Sequence, residues 1–204
     1  MRNKIVFDFD QTYISINSFP YWVIFVLIHE IIALRWRMFF HLIRLLFQRK
    51  LTKKITHFEF KKEFLEVQIN SKALQLFCRF IQIYENKEIT SAFHKHLKVG
   101  DEVIISSAAP NVYLKEYFKN CNVQVIGAFI ESNGLFNENH GELKKRNLYQ
   151  TSILNKEELI LKLYTDSYED LPLGEIAETI VLVQPNAKTL RSFDHLRDRV
   201  SVIK

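Results

Sequence analysis

The feature that most narrows what this chain can fold into is a change of rhythm near residue 87. From there to the carboxyl end, apolar runs of strand length alternate with segments of helical period. Residues 15–86 carry helical patterns alone. Strands that alternate with helices return to the same side of a sheet, so the pattern predicts an α/β fold on a parallel sheet. Strands are expected at 103–106, 123–130, 159–164, 179–183 and 200–203, with a helix over 145–158. One further strand opens the chain: residues 5–9 (IVFDF) form a short apolar run interrupted by an acid, as in a buried strand that ends at a functional group. The 204 residues suffice for one core and a small inserted unit, divided as a core of 1–14 and 87–204 and a helical insertion of 15–86.

Apolar residues make up 48% of the chain and Gly and Pro are scarce, which excludes a disordered polymer. Cys78 and Cys121 lie far apart with no CxxC pair, so neither a disulfide framework nor a thiolate zinc site is expected, and a reducing compartment is the default. The amino-terminal residues MRNKIVFDFD lack the pattern of a secretory signal, and a cytoplasmic location is expected. The net charge of +5 suits nucleic acid, an anionic membrane surface or an anionic substrate. Residues 35–54 hold seven Lys or Arg and no acid, but no recognisable nucleic-acid module contains them, so nucleic acid is not expected. No protein partner can be inferred.

Within the insertion, Thr56 and Glu59 form a capping-box pair that starts a helix, and Gly100 is placed to end a later one. Residues 21–34 are almost wholly apolar, broken only by His29 and Glu30, yet are too short for a membrane span of roughly twenty residues. In the next segment Arg37, His41, Arg44 and Gln48 recur at spacings of four, three and four, one polar stripe on an otherwise apolar helix. With Trp36, Phe39, Phe40 and Phe47 beside it and Arg35, Arg49, Lys50, Lys53 and Lys54 flanking it, that helix suits the interface of an anionic bilayer, peripheral at the inner face of the membrane. The competing expectation is that these helices pack on each other and on the core.

Four clusters carry chemistry. Asp8 and Asp10, at i and i+2 where a strand emerges, can point the same way. Such a pair offers hard oxygen ligands to Mg2+, and one carboxylate can attack phosphorus; an exposed acidic turn is the plainer alternative. Ser107, after VIIS, has a hydroxyl at a strand end that can hold a phosphate oxygen or simply cap a helix. Lys144, opening a helix after Gly141, can offset charge on a carboxylate and a phosphoryl group, although Lys145 and Arg146 beside it fit a solvated basic surface. Asp166 and Asp170, at i and i+4, are expected to share a helical face, one completing a metal site and the other supporting it from behind. Of the histidines, His94 and His96, near a helix end, are expected in surface or capping roles, and His140 is close enough to Lys144 to line a site.

In this order and setting the clusters resemble the four motifs of the haloacid dehalogenase superfamily: DxDx[TV], a Ser or Thr after the second core strand, a Lys, and DSxxD before a helix. The resemblance spans residues 5 to about 190 and implies a Rossmann-like parallel sheet with an inserted all-helical type-1 cap. It also implies a Mg2+-dependent phosphatase. Asp8 would be the nucleophile that forms an aspartyl-phosphate, and Asp10 the acid and then base. Asp8, the backbone carbonyl of Asp10 and Asp166 would hold the metal, Asp170 would orient those ligands, and Ser107 and Lys144 would bind the phosphoryl oxygens. A second acid at i+2 is the mark of the phosphatases; the dehalogenase branch lacks it. A fold kept only as a binding module is the remote alternative.

The sequence departs from the family pattern at Gln11 and Thr165, where Gly is common, and at Gly174, where Leu is usual. The motifs are most similar to the phosphoserine-phosphatase-like subgroup, but phosphoserine itself is not expected. Asn17 stands where that subgroup carries a Glu for the substrate ammonium, and Leu65 where an Arg would bind its carboxylate. The organisation of the insertion resembles the membrane-associated branch that includes phosphatidylglycerophosphatase C. This implies a lipid or lipid-linked phosphomonoester, with a small soluble metabolite as the alternative.

Overall fold

The computed structural model describes residues 3–203. Its strands are β1 (Lys4–Phe7), β2 (Glu102–Pro110), β3 (Gln124–Ile130), β4 (Phe136–Asn137), β5 (Ile160–Thr165), β6 (Ala177–Val183) and β7 (Val200–Ile203). They form one sheet in the order β4-β3-β2-β1-β5-β6-β7, and every neighbouring pair is parallel except β3 with the two-residue edge strand β4. The α/β parallel-sheet expectation is met. β1 is central because its apolar residues have partners on both sides: Ile5 lies opposite Val103 of β2 and Lys162 of β5. Its side chains alternate between faces, Ile5 and Phe7 into one hydrophobic layer and Val6 into the other. Chain order reverses across β1, and in sheets of this kind ligands bind in the crevice at the carboxyl ends of the strands flanking such a reversal.

On one face the core is aromatic, with Phe7 stacked on Tyr164 at 4.3 Å and packed against Phe93 of helix α5 (Lys87–Val99). Helix α6 (Asn111–Tyr117) adds Tyr113 and Leu114 to this layer. Helices α7 (Glu142–Gln150) and α8 (Leu171–Gly174) cover the other face, with Phe193 following α9 (Ala187–Ser192). A Cβ on Gly174 would sit 2.5 Å from Cε1 of Phe193, so the glycine at a position where Leu is usual makes room for that ring.

Two expectations are corrected. β2 extends to Pro110, past 106, with its register on β3 shifting between Ser106 and Pro110. The helix expected over 145–158 begins at Glu142 and ends at Gln150. Ser152 turns the chain at φ 56°, and the N–H groups of Ile153 and Leu154 both donate back to the Leu148 carbonyl. Ile153 and Leu154 stay buried in this turn, which is why their apolarity imitates a continuing helix.

Between β1 and α5 lie α1 (Ser18–Ile32), α2 (Trp36–Phe47), a π-helical turn (Gln48–Thr52), α3 (His57–Glu66) and α4 (Ser71–Gln82). The expected start at Thr56 is met by both arms of a capping box with Glu59, and Gly100 closes α5 at φ 85°. Trp22 ties α1 to α4 and α6, its ring 5.0 Å from Phe77 and 5.3 Å from Tyr113. The acid that interrupts the apolar run, Glu30, is buried and paired with Arg35 and His29. Inner faces therefore pack as one expectation required. The outer faces do not: Ile24, Ile28 and Ile32 of α1 and Trp36, Phe40 and Phe47 of α2 are exposed, and α2 buries only Leu42 and Leu45. Among the described residues no helix is long and apolar enough to cross a membrane.

Candidate active site

Asp8 is the first residue past β1, anchored by its N–H to the Tyr164 carbonyl at 2.9 Å, and it is buried with Lys144 Nζ 3.1 Å from its Oδ1. That contact is an ion pair without hydrogen-bond alignment, so Oδ1 is a buried oxygen with no hydrogen-bond partner. The chain then turns at Gln11 with φ 58°, a left-handed conformation that costs a side chain about 1 kcal/mol and that glycine adopts freely. This gives a physical reason for the glycine common at that position. The turn presents Asp10, whose Oδ1 accepts the Ser18 N–H at the first residue of α1 at 3.0 Å. It also presents Thr12, whose hydroxyl donates to Asp166 Oδ1 at 3.0 Å.

Lys144 lies one turn into α7, after Gly141 at φ 54° and ψ −130°, a backbone region open essentially to glycine alone. Its ammonium is buried, 2.7 Å from Asp170 Oδ1 and 2.9 Å from Oδ2. Thr165 Oγ1 donates to Asp170 at 2.7 Å and accepts the Ser167 N–H at 3.1 Å, so the threonine that replaces a usual glycine secures this carboxylate. Asp166 and Asp170 do not share an α-helical face. Asp166 lies just past β5, and a 3-10 turn (Tyr168–Asp170) separates the two, because Ser167 caps Glu169 and breaks the strand-to-helix run. Asp170 is committed to Lys144 and Thr165, so its support goes to the lysine.

Ser107 Oγ accepts the Ala109 N–H at 3.2 Å. Its carbonyl, with that of Ile126 and the Ser106 hydroxyl, receives the amide of buried Asn139 at 2.9–3.3 Å. Asn147 donates to Asn139 and exchanges bonds with Asn137. This asparagine network, which sets the backbone of the Ser107 turn, was not foreseen. Its one sequence signal is three asparagines within eleven residues.

The side chains meet in one cavity of about 150 Å³ lined by Asp8, Asp10, Ser107, Lys144, Asp166 and Asp170, with Gln11, Asn17 and His140 at its walls. His140 Nε2 lies 2.7 Å from Glu169 at this cavity. His94 and Leu65 are elsewhere, Leu65 in a separate crevice beside Asn111 and Phe129. The insertion nevertheless supplies a cation, Lys61 of α3, buried and 3.2 Å from Glu138. Trp36, Phe39, Phe40, Arg44 and Phe47 lie outside the cavity on α2.

Burial raises the Asp8 carboxyl above its ordinary range, with the Lys144 charge pulling it back and Asp170 pushing it further up. Burial, with a smaller push from Asp8, raises Asp10 to about 7, and the same two causes raise Asp166 to about 7. Burial works against the Lys144 ammonium, but the Asp170 and Asp8 carboxylates outweigh it and raise its pKa. Acids desolvated and repelling one another in this way favour an added cation. The Asp8 and Asp166 carboxylates are donors of the right hardness for Mg2+, which takes one or two carboxylates and completes its shell with water and phosphate oxygens. Among the described residues no cluster of three or more His, Cys, Asp or Glu side chains is arranged as metal ligands.

A sequence model described as haloacid dehalogenase-like hydrolase matches residues 5–175. Among solved structures, a protein of unknown function from Bordetella pertussis Tohama I is similar at TM-score 0.68 and 18% identity, over 100% of this chain and 99% of that one. A phosphoserine phosphohydrolase-like protein from Francisella tularensis subsp. tularensis SCHU S4 is similar at TM-score 0.56 and 16% identity, over 98% and 95%. A substrate-bound phosphoserine phosphatase is similar at TM-score 0.53 and 9% identity, over 98% and 99%. No curated protein matches by sequence.

Proposed function

Because the chain belongs to the haloacid dehalogenase-like hydrolase family, we propose that it hydrolyses a phosphomonoester through a covalent aspartyl-phosphate. The observation that carries this reading is the meeting of Asp8, Asp10, Ser107, Lys144 and Asp166 in one cavity at the carboxyl ends of β1, β2 and β5. An Asp8 carboxylate oxygen attacks phosphorus as the bond to the leaving oxygen breaks, and protonated Asp10 gives that oxygen its proton. A carboxyl held up to about 7 keeps that proton near neutrality. Asp10, now ionised, takes a proton from water, whose oxygen attacks the same phosphorus and breaks its bond to Asp8, releasing inorganic phosphate. Lys144 offsets charge on Asp8 and the phosphoryl oxygens, Ser107 binds a phosphoryl oxygen, and Asp170 fixes the lysine. Asp8, Asp166 and the Asp10 backbone carbonyl would hold Mg2+, which when bound neutralises charge on the phosphoryl group.

The helices of residues 15–86 act in this reading as a cap that limits water at the site. Asn17 at the cavity wall and the Lys61–Glu138 ion pair support that role. The substrate alcohol belongs to a lipid or lipid-linked group, supported by the exposed apolar side chains of α1 and α2 beside the basic run of residues 35–54. p-Nitrophenyl phosphate with Mg2+ tests the chemistry. Hydrolysis should fall on the order of 10⁴-fold or more in Asp8→Asn, and equal rates in the two proteins would end the reading. A panel of phosphorylated lipids and small metabolites tests the alcohol, and a preference for the metabolites would remove the lipid.

A further inference from the structure

A second cavity, of about 660 Å³, lies outside the catalytic pocket among α1, α2 and α3. Val23 and Leu27 of α1, Leu46 of α2 and Phe60 of α3 make its apolar walls. Arg49, Lys50 and Lys53 stand along one side, and no acid lines it. None of these three cations takes part in an ion pair among the described residues. Like charges within a few residues repel, so a cluster left without counter-charges raises the folded state's energy unless something compensates.

The backbone that carries these cations is irregular. α2 loosens into the π-helical turn, a form that is rare and recurs at functional sites. Lys53 ends that turn at φ 51°, a left-handed conformation unusual for a residue with a side chain. All three cations line the groove.

We propose that this groove is a binding site for one molecule of an anionic lipid, with its apolar chain along α1 and its anionic headgroup on Arg49, Lys50 and Lys53. The walls supply apolar burial that a soluble anion cannot use, and the unpaired cations supply charge that a neutral chain cannot use. Only a ligand with both parts uses both halves. The site goes beyond the phosphatase reading, because it contains none of the catalytic side chains. It is nevertheless adjacent: a shallow cleft lined by Gln11, Asn17, Pro20 and Ile24 shares its first two residues with the catalytic pocket and its last two with the groove.

The test is titration of the full chain with 11-(dansylamino)undecanoic acid, below its aggregation concentration. One-to-one saturable binding is expected, displaced by dodecyl phosphate but not by inorganic phosphate. Each added methylene of an alkyl phosphate competitor should tighten displacement by about fourfold until the groove is filled. Lys50→Glu/Lys53→Glu, changes at exposed positions, should weaken binding on the order of 25-fold, about fivefold for each charge even before its reversal is counted. Leu46→Gln should weaken it independently, and dodecyltrimethylammonium should fail to compete. Asp8→Asn should bind the probe as the wild type does, even if neither protein hydrolyses any phosphomonoester, which separates this site from the catalytic reading. Absence of saturable binding, indifference to both sets of groove variants, or displacement by inorganic phosphate would overturn the proposal.

Discussion

At the carboxyl ends of β1, β2 and β5, five carboxylates crowd a cavity with one buried ammonium. On the outer side of α1 and α2, Ile24, Ile28, Ile32, Phe40 and Phe47 face solvent. The first region puts charge where apolar groups would fold better, and the second puts apolar groups where charge would. Each opposes stability, and neither is required to close the sheet or seat the helices, whose inner faces are filled by Trp22, Val26, Leu42 and Phe77. Departures of this kind are retained where function needs them. The two differ in completeness. The lysine–aspartate–threonine group in the cavity is satisfied within the chain, whereas the helix surface has no partner among the described residues, so substitutions should cost much stability in the first region and little in the second.

The sharpest contrast comes from Lys144→Met. Removing the ammonium leaves Asp170 buried with Thr165 as its remaining partner, and breaking a buried pair from one side costs about 3–5 kcal/mol. Urea unfolding should show that loss, and hydrolysis of p-nitrophenyl phosphate should fall on the order of 10²–10³-fold. A variant as stable as the wild type would mean that the cavity is more hydrated than its geometry indicates.

Titration gives a smaller effect of definite sign. Without metal, Asp10 and Asp166 keep their protons to about pH 7, against an ordinary carboxyl value of 3.8. Between those values the folded chain binds more protons than the unfolded one, so these groups favour folding at low pH and withdraw that support as pH rises toward and through 7. In EDTA the wild type should therefore lose ground to Asp10→Asn between pH 5 and pH 8, by on the order of a few kcal/mol. At pH 8, Mg2+ should raise the melting temperature of the wild type and not that of Asp166→Asn. Parallel pH curves for wild type and Asp10→Asn would remove burial as the cause of the raised carboxyl.

How much of this was open to a reading of the sequence depends on the range of the signal. The α/β rhythm, the Thr56 capping box and the Gly100 stop are local and were legible. The acids and Ser107 could be singled out because each sits within a few residues of a strand end, though their convergence in one cavity is a tertiary fact. Lys61 was not legible: it is one of two adjacent lysines on α3, and only the helix's rotation buries it against Glu138 while Lys62 reaches Glu66. Nothing local sets Asn137, Asn139 and Asn147 apart until the fold brings them together under Ser107. The outer surface of α1 could not be assigned, since a helix apolar on every side says nothing about which side is covered.

That surface yields the smallest change in stability and the most direct test of what covers it. Phe40 is 63% and Phe47 54% exposed, so Phe40→Ser/Phe47→Ser removes little buried area from the folded chain. Serine and phenylalanine have similar helix propensities, and unfolding should move by no more than about 0.5 kcal/mol per site. Docking should respond far more, because rings that insert into a bilayer lose water contact there for the first time; both together should weaken partition on the order of tenfold or more. Sedimentation with phosphatidylglycerol vesicles is the measurement, with salt and phosphatidylcholine vesicles expected to reduce binding as the basic run of residues 35–54 loses its attraction. Equal partition of wild type and variant would assign the attraction to charge alone. No partition by either would leave the apolar surface to a protein contact and favour a small soluble phosphomonoester as substrate, because the cavity at Asp8 would then be the whole of the recognition site.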